Sequence, residues 1–167
     1  MINERYAAGV CADAECPNGA NICLDGSDKP GGDATPALVS GRVLDCACEK
    51  PIAGAKVDVW LTASDGEYDV QKHNVNPRNL CGIFRSDEHG CFWFKCIRPT
   101  EYKVPEDGPG GDLLKYCGRH AWGPAHIHFV ITAPGYQKVT THLFCRGDKY
   151  ALKHRHDGHT PRIRIEI

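Results

Sequence analysis

Ala125-His-Ile-His-Phe-Val-Ile-Thr-Ala133 reads as a largely buried β-strand, closed by a Pro134-Gly135 turn. Four other segments share its character. Ala55, Val57, Val59 and Leu61 alternate with Lys56, Asp58 and Trp60, the period of a half-buried strand. Cys91-Phe-Trp-Phe-Lys-Cys-Ile97 is aromatic-rich and strand-like, and 137–145 forms another candidate strand. The tail Pro161-Arg-Ile-Arg-Ile-Glu-Ile167 puts Ile163, Ile165 and Ile167 on one face. Turn signals separate these runs at Asp65-Gly66, His89-Gly90, 107–111 and Gly147-Asp148. One short helix is expected over Asp112-Leu-Leu-Lys-Tyr-Cys117, with Asp112 as N-cap and Gly118 as its stop. Short strands with such punctuation predict an all-β sandwich or barrel with long loops and at most short helices. Residues 1–37 are Gly-, Asp- and Cys-rich without periodicity and read as an irregular N-terminal arm. Residues 38–167 then form one domain, which suits a chain of 167 residues.

Lys and Arg number 20 against 21 Asp and Glu. This balance argues against nucleic acid or an anionic membrane surface as a partner. No apolar run reaches the length of a spanning helix. Cysteine is the compositional outlier, with ten spread along the chain. None is spaced Cys-x-x-Cys, which counts against zinc ribbons and thioredoxin-type pairs. The even count predicts a disulfide-stapled, secreted protein. The first residues lack an apolar leader core, so a secreted form is expected to have lost its signal peptide.

His126 and His128 sit at i and i+2 of the strand quoted first, so their imidazoles share a face. Two buried imidazoles need partners, and a shared metal ion is one way to supply them. A ferrous triad would add a carboxylate, and zinc would add Cys, His or carboxylate. Ferric iron would accept phenolate from tyrosines such as Tyr68 and Tyr102, both in loop-like settings. The second histidine group, His154, His156 and His159, lies among charges and Gly and reads as a solvated loop.

From Gly41 to Tyr150 the chain resembles the intradiol ring-cleavage dioxygenases, the catechol and protocatechuate dioxygenase family. The pieces that carry this are Gly41-Arg-Val-Leu-Asp45, Pro51-Ile-Ala-Gly-Ala-Lys-Val-Asp-Val-Trp60, Gly66-Glu-Tyr68 and Gly90-Cys-Phe-Trp-Phe94. The Tyr102–Leu114 segment, Pro124-Ala-His-Ile-His-Phe129, Ala133-Pro-Gly-Tyr136, Thr140-Thr141 and Gly147-Asp148-Lys-Tyr150 follow in family order. The resemblance implies a two-sheet β-sandwich and a non-haem Fe(III) centre held by Tyr68, Tyr102, His126 and His128. It implies that a catechol and O2 are the substrates, with O2 inserted between the hydroxyl-bearing carbons to give a cis,cis-muconic acid. Tyr102 is then catalytic, leaving the metal and helping to take up the catechol protons.

Two departures stand out. The family Arg before Pro-Ala-His-Ile-His is Gly123 here, and the Gln after the paired Thr is His142. His142, Arg78, Arg85 and Arg146 are therefore the candidates to cover the Arg role, and Gly123, Pro124, Arg78 and Arg146 to line the substrate. The short arm predicts a monomer with an open site. The competing reading is a catalytically weak extracellular β-sandwich module that binds aromatic ligands and has lost its chemistry at Gly123.

Overall fold

The computed structural model describes residues 15–16, 19–47, 50–72, 78–145 and 148–150. In chain order the strands are β1 (Glu15–Cys16), β2 (Gly19–Asn21), β3 (Pro36–Arg42), β4 (Lys56–Trp60) and β5 (Cys81–Arg85). Then come β6 (Cys91–Ile97), β7 (Tyr102–Lys103), helix α1 (Pro109–Tyr116), β8 (Trp122–Gly123), β9 (His126–Thr132) and β10 (Val139–Phe144). Two sheets result, one five-stranded in the order β1-β5-β4-β9-β10, the other three-stranded in the order β2-β6-β3. The pair β7 and β8 forms a separate ribbon. Pro36, which cannot donate to a ladder, opens the edge strand β3.

The sheets face each other across an aromatic seam. Phe84 of β5 stacks on Phe94 of β6, centroids 5.3 Å apart and rings within 7° of parallel. Phe129 of β9 tilts against both Phe92 and Phe94, 6.3 Å from each. The alternation on β4 explains the layering. Val57 and Val59 turn inward and are fully buried, while Lys56, Asp58 and Trp60 take the outer face. The same rule puts Phe129 inside and His126 and His128 outside. The all-β two-sheet expectation thus holds, with one short α-helix among the described residues.

That helix begins three residues before the expected start. Pro109 suits the first helical position, with Gly108 as the N-cap residue, and Gly118 at φ +62° ends it as anticipated. The arm is less irregular than its composition suggests. Glu15–Cys16 pairs in parallel with β5 and Gly19–Asn21 with β6, and Ile22 and Cys23 enter the core. Parallel pairing by such short segments leaves no periodicity to read. The tail 161–167 and the histidine-rich 154–159 lie outside the described residues.

The disulfide expectation needs correction. Cys23, Cys46, Cys81, Cys91, Cys96, Cys117 and Cys145 are all free thiols, and no bridge joins any two described cysteines. Cys23, Cys96 and Cys145 are buried; Cys96 acts as a small apolar packing group in the core, and the Cys23 thiol donates to Asp25 Oδ1 at 3.2 Å. Burial, reinforced by neighbouring Cys23 and Cys145, pushes the Cys96 thiol up to about 12. A chain of this length buries enough apolar surface to stand without staples.

The outer face carries one electrostatic cost. Asp58 is mostly buried beside Lys56, at 3.8 Å, and burial pushes its carboxyl up to about 6. The folded state therefore favours the protonated form. Its contribution is fully present below the unfolded value of about 3.9 and is lost as pH rises through about 6. Asp58→Asn is expected to raise stability at pH 8 by about 1 kcal/mol, after allowance for partial solvent screening, and to do almost nothing at pH 4. Thermal melts at both pH values check this, and an equal gain at each would refute it.

Candidate metal centre

Four segments bring the candidate ligands to the outer face of the five-stranded sheet. β9 supplies His126 and His128 from consecutive outward positions. The loop after β4 carries Tyr68, whose backbone N–H donates to Gln71 Oε1 as a 3-10 turn over Asp69–Gln71 begins. The ribbon carries Tyr102, paired across to Gly123. β10 adds His142, in register opposite His128.

The donor atoms converge. His126 Nδ1 lies 2.7 Å from the Pro124 carbonyl oxygen, which can only accept, so that nitrogen carries the proton. Burial lowers the His126 pKa, so the ring is neutral and its Nε2 keeps a lone pair. That Nε2 is 2.9 Å from His128 Nε2, which is 2.9 Å from Tyr68 Oη. Adjacent ligands at right angles around one ion, each bonded at about 2.1 Å, stand about 3.0 Å apart. The spacing therefore fits a shared metal. Tyr102 completes the set edge-on, its ring 5.3 Å from His126 and 6.1 Å from Tyr68.

The electrostatics agree with a cation-binding role. Burial, with His126 and His142 adding to it, brings His128 down to about 3, so it stays a neutral donor. Burial raises both phenols, Tyr68 further because Tyr102 is beside it. A cation reverses that logic by stabilising phenolate, so binding displaces protons. Hard phenolate oxygens with imidazole nitrogens suit ferric iron better than soft metals.

Among the described residues, His126, His128 and His142 place ligand nitrogens within 4.8 Å of one another. His142 is half-buried, its ring 4.6 Å from His128 and 5.2 Å from His126. Sequence reading missed Trp60, which stacks on His128 at 4.7 Å and 7° and fixes that ring's plane. Its outward position in the β4 alternation was the available signal. It also missed the Pro124 carbonyl as the partner that orients His126, because backbone acceptors leave no trace in residue identity.

The remaining candidates separate. Arg85 pairs in register with Lys56 and donates to the Gly54 carbonyl, at the end of β4 opposite Trp60 and His128. That is about 13 Å along the strand from the site, so Arg85 has no part in it. Arg78 precedes β5 at the end where Cys81 pairs with Trp60. Arg146 lies outside the described residues. A groove of about 680 Å³ opens elsewhere, lined by Asp33, Arg98, Glu101, Trp122, Cys145 and Asp148 among others. Its acids are engaged, Glu101 with Lys149 at 2.5 Å and Asp148 with the Ala125 and Tyr150 amides. None of the Tyr and His donors lines it.

Two histidines on one sheet face of a β-sandwich, met by one tyrosine from a loop and another from a ribbon, define a class of site, one that fits a metal ion held by phenolate and imidazole. Known proteins of similar sequence and fold place the chain. The Dioxygenase family model matches residues 10–156. Hydroxyquinol 1,2-dioxygenase of Rhizobium sp. (strain MTP-10005) is 46% identical over 161 residues, covering 89% of this chain and 52% of that protein. The crystal structure of hydroxyquinol 1,2-dioxygenase from Pseudomonas putida DLL-E4 superposes with TM-score 0.70 at 44% identity, covering 83% of this chain and 46% of that one. Wild-type catechol 1,2-dioxygenase from Acinetobacter radioresistens gives TM-score 0.74 at 32% identity, covering 81% and 43%. This chain belongs to the intradiol ring-cleavage dioxygenase family. It spans about half the length of the curated relatives it matches. The binding-module reading is not favoured by these relatives, which are named as enzymes.

Proposed function

We propose that this protein is a non-haem Fe(III) dioxygenase that cleaves catecholic rings between their two hydroxyl-bearing carbons with O2, giving cis,cis-muconic acid products. One observation carries the reading. Tyr68 Oη, His128 Nε2 and His126 Nε2 form a continuous 2.9 Å chain of donor atoms, with Tyr102 facing it. Tyr68, Tyr102, His126 and His128 would hold the iron, which supplies Lewis acidity and a template for the two catechol oxygens.

The chain's own groups do the rest. The Pro124 carbonyl and the Trp60 ring keep the two imidazoles in their planes. Tyr102 Oη, as phenolate, is the acceptor for a catechol proton when substrate arrives. His142 stands beside both histidines without belonging to the four ligands, and its neutral ring offers a hydrogen bond to a substrate oxygen. Gly123 and Pro124 form the wall on the Tyr102 side, and Arg78 and Arg146 are the cations to test by alanine replacement. Similarity to the hydroxyquinol dioxygenases makes catechols with a third ring hydroxyl the first substrates to try.

Iron-loaded protein is expected to be reddish from tyrosinate-to-iron charge transfer. It should consume O2 with catechol or hydroxyquinol, and not with resorcinol, whose hydroxyls are not adjacent. An oxygen electrode and the ultraviolet absorbance of the muconate product measure this. A colourless protein that takes up no iron would overturn the reading.

A further inference from the structure

The position after the paired threonines, a Gln in the family, is His142 here, and this changes what the outer face can bind. His126 and His128 project from alternate residues of β9, and His142 of β10 pairs in register with His128. Side chains directly opposite each other share one face of a sheet. The three imidazoles therefore form a nearly equilateral triangle. Their ring centroids lie 4.5 Å apart for His126 and His128, 4.6 Å for His128 and His142, and 5.2 Å for His126 and His142. The ring planes meet at 72°, 67° and 85°, so no two of them stack.

One nitrogen from each ring already lies within 4.8 Å of the other two. A tetrahedral ion bonded to nitrogen at about 2.0 Å spaces its donors about 3.3 Å apart. His126 Nε2 and His128 Nε2, at 2.9 Å, are close to that span. His142 stands on the edge strand β10, partly open to solvent, and rotation of its ring brings in the third nitrogen. Three imidazoles with an open fourth position are a complete donor set for zinc, and imidazole also suits copper and nickel. A glutamine at 142 would offer an amide oxygen instead, a donor suited to magnesium or calcium. Ferric iron, by contrast, draws on the hard anionic oxygens of Tyr68 and Tyr102. Imidazole donates a lone pair that it already holds, whereas a phenol must first lose a proton.

We infer that His126, His128 and His142 form a second metal site, which takes a divalent ion of the zinc type. It shares two donors with the proposed iron centre, so one ion excludes the other. That exclusion rests on the iron reading, while the three-histidine site rests on its own geometry.

The test titrates the iron-stripped chain with Co2+, a zinc substitute whose visible spectrum reports its ligands. The parent should bind one Co2+ per chain with the intense absorption of a tetrahedral ion. His142→Gln should weaken that binding by more than about 100-fold, beyond the loss of a merely orienting partner. It should still develop tyrosinate colour on loading with ferric iron. The double variant Tyr68→Phe with Tyr102→Phe should do the reverse, binding Co2+ as the parent does and staying colourless with iron. Zinc added first should block colour development in the parent and not in His142→Gln. Circular dichroism checks that each variant keeps its sheets. A parent that binds no Co2+, equal Co2+ affinity in the parent and His142→Gln, or loss of Co2+ with the two tyrosines overturns the inference. An iron-treated parent that stays colourless yet binds Co2+ through the three histidines would instead refute the iron reading and leave this site standing.

Discussion

His128→Ala is expected to abolish iron binding, colour and O2 consumption together, while the sandwich stays folded. His128 Nε2 is the shared node of the donor set, 2.9 Å from both His126 Nε2 and Tyr68 Oη. Removing it breaks the convergence on both sides at once. Loss of a partner that only orients a ligand costs about 10–100-fold in metal affinity, and loss of a ligand itself should exceed that. The fold should survive because the ring lies on the outer face, stacked on Trp60, and outside the buried seam between the sheets. Metal analysis after dialysis, the visible spectrum and far-ultraviolet circular dichroism read the three quantities separately. Retention of one iron per chain with unchanged colour would remove His128 from the centre.

The largest effect on stability is expected from Phe94→Ala. Phe94 is fully buried, stacks on Phe84 at 5.3 Å and meets Phe129 at 6.3 Å, so it touches strands of the opposite sheet on two sides. Truncating a buried phenylalanine costs about 3–5 kcal/mol through lost transfer energy and the cavity left behind. For a chain of this size, that lowers the melting temperature by about 10 °C. Because β6 contributes no ligand, iron bound per folded molecule should not change. A melting temperature within about 2 °C of the parent, the shift expected for a surface substitution of about 0.5 kcal/mol, would mean that the seam is not where the sheets are joined.

These two variants separate the inner and outer faces of one strand system, and the residue alternation makes that separation possible. On β9, Ile127 and Phe129 point in while His126 and His128 point out. The period of two was legible in the sequence, as were the strand positions around it. The four candidate ligands came from resemblance joined to that spacing. A lone tyrosine in a loop carries no signal of its own, and only the fold shows Tyr68 meeting His128 and Tyr102 meeting His126.

By itself, the sequence determined the all-β class, the turns, the shared face of the two histidines and the family. Those follow from local period, turn chemistry and motif order, which need no knowledge of distant contacts. The tertiary structure alone decided three things. Trp60 and the Pro124 carbonyl orient the imidazoles, Tyr102 lies over Gly123, and seven cysteines expected to pair stand as free thiols. Each depends on residues far apart in the chain or on backbone atoms that every residue shares. Pairing, stacking and close approach are properties of distance in space, which residue order alone does not encode in any readable local pattern.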